Sequence, residues 1–463
     1  MITALVLAST LAASAGAADG LTPGVLAERV LLPDHPEESY ALYLPSSYSP
    51  ARPTPILYAF DPRARGRVPV ERFQAAAERY GWAVVGSNAS RNRIDVTDIV
   101  RRLWDDTHRR LAIDERRVYM TGFSGGARVA SGLALNARGL VAGVVAFGAG
   151  FPAGARADKD VPFAVFGGAG LDDFNLPEMR QLAADLDAAG AANRLEIWEG
   201  GHEWAPAELC ALALEWLELR AMRAGTRAKD DALVERWAVR DAERARRHET
   251  TGAIVEAVDA FDSLVEDFRG LRDTSAYAEA AARLRVTRGY KDAVRAQRSD
   301  DRYQVQLMND LGAAIQQLMG DEDGRLAVLP RLRGTVADLR RASEKQDPGR
   351  EGHVARRALF GAWAQALEAS SSLRVRKEYH RAAETLALAG EIRPLGAGQL
   401  YELARLHSLG GQERQALQAL ERAIGSGFRD VEALLREPDL ERVRRSPAFA
   451  ALVERARAAP KVE

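Results

Sequence analysis

The chain has 463 residues, 64 basic and 65 acidic side chains, a formal net charge of −1 and a single cysteine. That length leaves room for two or three cores, the balanced charge gives no general attraction to nucleic acid or to an anionic membrane, and one cysteine rules out an intrachain disulfide. The histidines are scattered, with no His-x-x-x-His or cysteine pair, and no glycine-rich phosphate loop follows the first strand, so neither a metal nor a cofactor is expected.

At the amino terminus Ile2–Ala13 is apolar, and Ala15-Gly16-Ala17 supplies the small-residue spacing that a signal peptidase cuts after. The run is too short to span a bilayer, and no lysine or arginine precedes it. Residues 1–17 are therefore expected to be a signal peptide, with the protein periplasmic or secreted. From 18 to 224, glycine-punctuated strands and helices alternate. Pro55–Phe60 reads as the third strand, leading into Asp61-Pro62-Arg63-Ala64-Arg65-Gly66; Thr97–Leu111 reads as a helix. The apolar Val118-Tyr119-Met120 then meets Thr121-Gly122-Phe123-Ser124-Gly125-Gly126 and the helix-prone Ala127–Ala130. Strand, sharp turn with a serine at its tip, then helix is the order of a nucleophile elbow, where Gly122 and Gly125 let strand and helix approach. Val141–Phe147, Val161–Phe166 and Asn193–Trp198 read as buried strands, with helix Pro177–Ala188 between the last two. The second of these strands runs into Gly170-Leu171-Asp172-Asp173, and the third into Gly200-Gly201-His202-Glu203-Trp204. Cys210 falls in the apolar final helix Leu209–Met222 and is expected in the core.

An acid past one strand and a histidine past the next, in the order Ser, Asp, His, match the remaining members of a catalytic triad. On these residues the chain resembles the esterase branch of the α/β-hydrolase superfamily, the polyhydroxybutyrate-depolymerase and feruloyl-esterase-like group. The resemblance covers roughly residues 25–220 and rests on Tyr40-Ala-Leu-Tyr-Leu-Pro45-Ser-Ser-Tyr48, Gly122–Gly126, Gly170–Asn175 and Gly200–Trp204. It implies an α/β-hydrolase domain cleaving small-molecule or polymer esters, with Ser124 as nucleophile, His202 as base and Asp173, in preference to Asp172, as the orienting acid.

A tetrahedral intermediate needs backbone N–H donors, and one is expected from Gly125. The second is expected from the loop after the third strand. There Asp61-Pro62 replaces the family's His-Gly, and Pro62 has no N–H, so the donor must be Phe60, Asp61 or Arg63. A carboxylate facing a developing oxyanion would oppose catalysis, so Asp61 is expected to turn away and pair with Arg63 or Arg65. The loops Arg63–Val68, Ser87–Asp95 and Gly150–Asp160 are expected to set the acyl and alcohol groups accepted. Each residue also has a plainer reading. Ser124 could be a small turn residue, His202 could bond a carbonyl, and Asp172 or Asp173 could cap the Pro177 helix. His108 is expected on a solvated helix face, and His35 in a turn.

Beyond Gly225 the chain becomes rich in Ala, Leu, Arg and Glu, with helical periodicity. Helices are expected over Lys229–His248, Ile254–Phe268, Ala276–Ala296, Tyr303–Leu318 and Arg325–Arg341, making 225–350 a helical region. In 351–463, Ala382, Leu386 and Ala389 recur 34 residues later as Ala416, Leu420 and Ala423. That is the period of tetratricopeptide helix pairs, which this stretch resembles. Ala404 and Gly411 fit the pattern, Pro394 closes the first repeat, Ser370 and Phe428 depart from it, and Asp430–Ala458 reads as a cap. Such repeats would bind a protein partner or simply brace the hydrolase; both stay open. Two other readings compete with esterase: a non-catalytic binding platform on a silent hydrolase fold, and a serine exopeptidase. The latter is weakened because no propeller domain precedes the elbow.

Overall fold

The computed structural model describes residues 21–157, 161–318, 320, 322–345 and 349–458. The expected signal peptide lies outside the described residues. The chain divides into two compact units between Ser299 and Asp300.

The first unit is built on an eight-stranded sheet. Its elements run β1 (Leu26–Leu32), β2 (His35–Tyr43), β3 (Thr54–Phe60), α1 (Arg67–Tyr80), β4 (Ala83–Ser87), α2 (Thr97–Arg110), β5 (Ile113–Phe123), α3 (Gly125–Asn136) and β6 (Gly143–Phe147). They continue with β7 (Ala164–Gly170), α4 (Leu176–Ala189), β8 (Asn193–Trp198) and α5 (Ala207–Arg223). The strand order is β1-β2-β4-β3-β5-β6-β7-β8, with β2 antiparallel to β4 and every pair from β4 to β8 parallel. This is the α/β-hydrolase fold. Side chains alternate across each strand. Thus Ile56, Tyr58 and Phe60 pack with Val100 and Leu103 of α2, Ala127 and Ala130 of α3 and Leu186 of α4. Leu57 faces the opposite layer, with Phe73 of α1 and Leu214 and Trp216 of α5. Cys210 is fully buried in that layer, as expected, and burial pushes its thiol pKa up.

Several expectations need correcting. The strand expected over Val161–Phe166 begins at Ala164 and continues through Gly167-Gly168-Ala169-Gly170. Its glycines are strand residues because larger neighbours occupy their side-chain space: a Cβ on Gly168 would stand 2.8 Å from the Phe147 ring. His108 is not on a solvated face. Its ring stacks on Trp104 at 4.1 Å and its Nδ1 lies 2.8 Å from the Trp104 carbonyl. His35 opens β2 rather than lying in a turn.

Past α5 come α6 (Asp231–Thr251), α7 (Ile254–Asp267), α8 (Ser275–Arg285) and α9 (Arg288–Leu318), within which the division between units falls. The expected helix Ala276–Ala296 is broken at Val286–Thr287, where the Thr287 hydroxyl accepts the Tyr290 N–H as a cap. No glycine or proline interrupts 297–302, so the separately expected Tyr303–Leu318 is the second half of one helix.

A buried ionic cluster joins α6 and α7 to the edge strand β8. Arg194, 4% exposed, donates to Glu196 at 2.8 Å, to Asp267 at 2.9 Å and to Asp241 at 3.3 Å. Trp216 Nε1 completes Asp267 at 2.6 Å, and Arg244 makes two 2.8 Å bonds to Glu196. Burial alone would raise the Glu196 pKa, but the guanidiniums of Arg194 and Arg244 overcome it and hold the carboxyl at about 2, below its ordinary 4.5. For Asp267 burial wins, and its carboxyl is raised to about 6.

The second unit holds α10 (Glu322–Ser343), α11 (Gly349–Val375), α12 (Tyr379–Ile392), α13 (Ala397–Leu409) and α14 (Glu413–Gly425). The short α15 (Val431–Arg436), α16 (Glu441–Arg444) and α17 (Pro447–Ala458) follow. α11 packs on α12 and α13 on α14. Both sets of residues spaced 34 apart are buried in one core: Ala382, Leu386 and Ala389, then Ala416, Leu420 and Ala423. Ser370 sits in that core because its hydroxyl donates to the Ala382 carbonyl at 2.8 Å. Among the described residues, no helix is long and apolar enough to cross a membrane.

Arg194→Met leaves Asp267 buried without its cation, while Asp241 keeps Arg240, and should lower unfolding free energy in urea by about 3–5 kcal/mol. The same change at exposed Arg101 should cost under about 0.5 kcal/mol. The sign of the Glu196 contribution follows from its depressed pKa. It is fully present above about pH 4.5 and is lost as pH falls toward 2, so acid titration of wild type should show this loss and Glu196→Gln should not.

Candidate active site

The end of β5 and the start of α3 cross so closely that neither tolerates a side chain. A Cβ on Gly122 would stand 2.2 Å from the Gly126 carbonyl carbon, and one on Gly126 would stand 1.9 Å from the Phe60 carbonyl oxygen. Gly126, rather than Gly125, is thus the partner of Gly122 in the close approach. Between them Ser124 is forced to φ 54° and ψ −122°, a region non-glycine residues rarely occupy. Its own N–H is held by the Phe147 carbonyl at 2.8 Å. The strain aims Oγ away from the sheet.

Asp173 and His202 arrive from the ends of β7 and β8. Gly170 and Gly200 allow these loops to touch, since a Cβ on Gly170 would stand 2.4 Å from the Gly200 carbonyl oxygen. His202 Nε2 lies 2.9 Å from Ser124 Oγ, and its Nδ1 lies 2.9 Å from Asp173 Oδ1. The three side chains expected to act together form one hydrogen-bonded chain. Asp173 is fully buried. Its Oδ1 also accepts the Asn175 N–H at 2.8 Å, while the Asn175 side chain donates to the Gly148 carbonyl at 2.7 Å. Phe123 and Phe174 pack against the imidazole, at 4.6 and 4.5 Å between centroids. Neither aspartate caps α4; Asn175 occupies the N-cap position.

Asp61 does turn toward Arg65. Its carboxylate, 1% exposed, accepts Arg65 Nε at 2.9 Å and Nη2 at 2.8 Å, the Arg63 N–H at 2.8 Å and Trp204 Nε1 at 2.8 Å. Burial works against the charge, but the Arg65 and Trp204 bonds outweigh it and keep the carboxyl below its ordinary pKa. With the Arg63 N–H consumed by Asp61 and Pro62 lacking one, Phe60 and Asp61 are left to partner the Gly125 N–H. Both stand beside the elbow: Asp61 N is 3.4 Å from where a Gly126 Cβ would be.

Two residues to which the sequence assigned no role shape this site. Trp204 ties the histidine loop to Asp61, and only its place two residues after His202 hints at it. Asn92 lies against Gly125, where a Cβ would stand 1.8 Å from Asn92 Oδ1, and nothing in the sequence marks it. Among the described residues no cluster of His, Cys, Asp or Glu could hold a metal ion.

No protein-family model matches the sequence, and comparison with curated proteins finds no match. Among solved structures, the chain is similar to the S-formylglutathione hydrolase of Staphylococcus aureus, with 16% identity and a TM-score of 0.35 over 43% of this chain and 99% of that one. It is also similar to the fluorophosphonate-binding serine hydrolase FphF of Staphylococcus aureus, with 13% identity and a TM-score of 0.33 over 42% and 96%. A third is the esterase LipW of Mycobacterium marinum, with 19% identity and a TM-score of 0.34 over 42% and 82%. Likeness at this level adds no weight of its own, and the fold assignment rests on strand order.

Proposed function

We propose that this protein is a serine hydrolase that cleaves carboxylic esters through an acyl-enzyme, with Ser124 as nucleophile, His202 as base and Asp173 as orienting acid. One observation carries the reading: the unbroken hydrogen-bonded chain from Ser124 through His202 to buried Asp173, at the tip of a strained turn. A silent platform has no need of that geometry.

The chemistry follows from the atoms. Ser124 Oγ attacks the acyl carbon while His202 Nε2 takes its proton. The Gly125 N–H, with that of Phe60 or Asp61, receives the oxyanion. Collapse expels the alcohol, which leaves with the proton from His202. Water then attacks the acyl-enzyme by the same route, releasing the acid and restoring Ser124. Asp173 keeps the proton of neutral His202 on Nδ1 and balances the imidazolium charge. The helical second unit would act as a tetratricopeptide-like surface for a protein partner, and Ile2–Ala17 would direct export. Cell fractionation tests the latter: the protein should appear in periplasm or medium, not cytosol.

A fluorophosphonate probe should label the wild type and leave Ser124→Ala unlabelled, and the same substitution should lower kcat on a 4-nitrophenyl ester by on the order of 10⁴-fold or more. Undiminished labelling of the variant, or an intact protein that takes no label, refutes the proposal. Asp61→Ala strands the buried Trp204 Nε1 and frees Arg65. It should cost about 1–3 kcal/mol of stability and reduce kcat. A faster enzyme of unchanged melting temperature would show that Asp61 opposes catalysis.

A further inference from the structure

Beside the elbow, the loops after β3 and β4 are joined by an isolated antiparallel bridge between Arg63 and Arg91. The bond that makes this bridge runs from the Asn92 N–H to the Pro62 carbonyl, at 3.0 Å. Residues opposed across such a bridge send their side chains to the same face, and like charges placed there repel. Both arginines are exposed, and among the described residues neither guanidinium has a carboxylate partner. Their neighbours differ: Arg65 is neutralised by Asp61, and Arg67 by Glu28 and Glu71. Two uncompensated cations are thus paired across the bridge, and Arg91 directly precedes Asn92, whose side chain touches Gly125.

These loops are also where backbone strain concentrates. Among the described residues of the sheet unit, the non-glycine ones with positive φ are Ala64 at 58°, Arg93 at 68° and Ser124 at 54°. One lies in each of the two bridged loops and the third is the candidate nucleophile. Strain of this kind persists where surrounding structure over-determines it, and it gathers at ligand sites. The position is also right for a ligand, beyond the carboxyl ends of parallel strands.

From this we infer that Arg63 and Arg91 form a carboxylate-binding subsite, and that the enzyme prefers esters carrying an anionic carboxylate on their acyl or alcohol portion. The inference rests on the serine-hydrolase reading and adds a substrate class to it. Paired guanidinium forks suit a carboxylate, whose planar oxygens accept parallel N–H bonds. A bound anion also relieves the repulsion between the two arginines, so recognition and loop stability reinforce each other.

The test compares two matched pairs of substrates. Mono-4-nitrophenyl glutarate against 4-nitrophenyl valerate places the charge on the acyl side. 4-Acetoxybenzoate against its methyl ester places it on the alcohol side. Wild type should show a higher kcat/KM for the anionic member of at least one pair. That preference should fall on the order of 10- to 100-fold in Arg63→Gln/Arg91→Gln. In wild type it should also shrink several-fold as sodium chloride is raised, through screening, which keeps the test decisive if the double variant fails to fold. A preference for the neutral member in both pairs overturns the inference. So does an anionic preference that neither salt nor the substitutions reduce. Failure to hydrolyse any of the four esters instead removes the hydrolase reading itself, and the subsite with it.

Discussion

The position of Ser124 depends on how closely two backbones can meet. Where β5 ends and α3 begins, Gly122 lies so near Gly126 that a single methyl group on either would collide with main-chain atoms. A serine between them has no relaxed conformation available, and the resulting strain presents its hydroxyl at the sheet edge. The same crowding puts the Phe60 carbonyl against Gly126, so the strand end proposed to supply the second oxyanion donor is fixed by the contact that fixes Ser124. Other loops repeat the device more mildly. Gly170 meets Gly200, bringing the acid and histidine loops together, and Gly148, at φ 62°, leaves room for the Asp173 carboxylate.

A second brace links the remaining loops. Asp61 sits in a position where a bare carboxylate would be harmful, yet its bonds spend both oxygens on Arg65, Trp204 and the Arg63 N–H. The loop after β3 and the histidine loop are tied through one buried charge, and that charge is turned toward Arg65 and Trp204. Farther out, Arg194 plays a comparable part for stability, joining β8 to α6 and α7, so that these helices belong to the sheet unit.

Much of this was legible because the signals are local. The elbow announces itself as strand, glycine, serine, glycine and helix. Asp173 and His202 each follow a short apolar run, and the bounds of Asn193–Trp198 were readable to the residue because polar and glycine residues mark them, although it is a partly exposed edge strand and not the buried strand expected. The pairing of Asp61 could be read from charge and from the missing N–H of Pro62. What escaped depends on contacts between segments distant in sequence. Asn92 reaches Gly125 from another loop, Trp204 finds Asp61 across 143 positions, and His108 is withdrawn from solvent by Trp104 and Tyr58. The continuation of β7 through Gly167–Gly170 was hidden for a related reason: those glycines are strand residues only because Phe147, Met179 and Trp198 fill the space beside them.

The central claim is that Ser124, His202 and Asp173 act as one chemical unit, and a double-mutant cycle on kcat/KM tests it most directly. Groups that work only together are lost together. Ser124→Ala, His202→Ala and the double variant should therefore hydrolyse a 4-nitrophenyl ester at rates within several-fold of one another, all far below wild type. If the two single losses instead multiply in the double variant, the serine and the imidazole contribute independently, and the account fails.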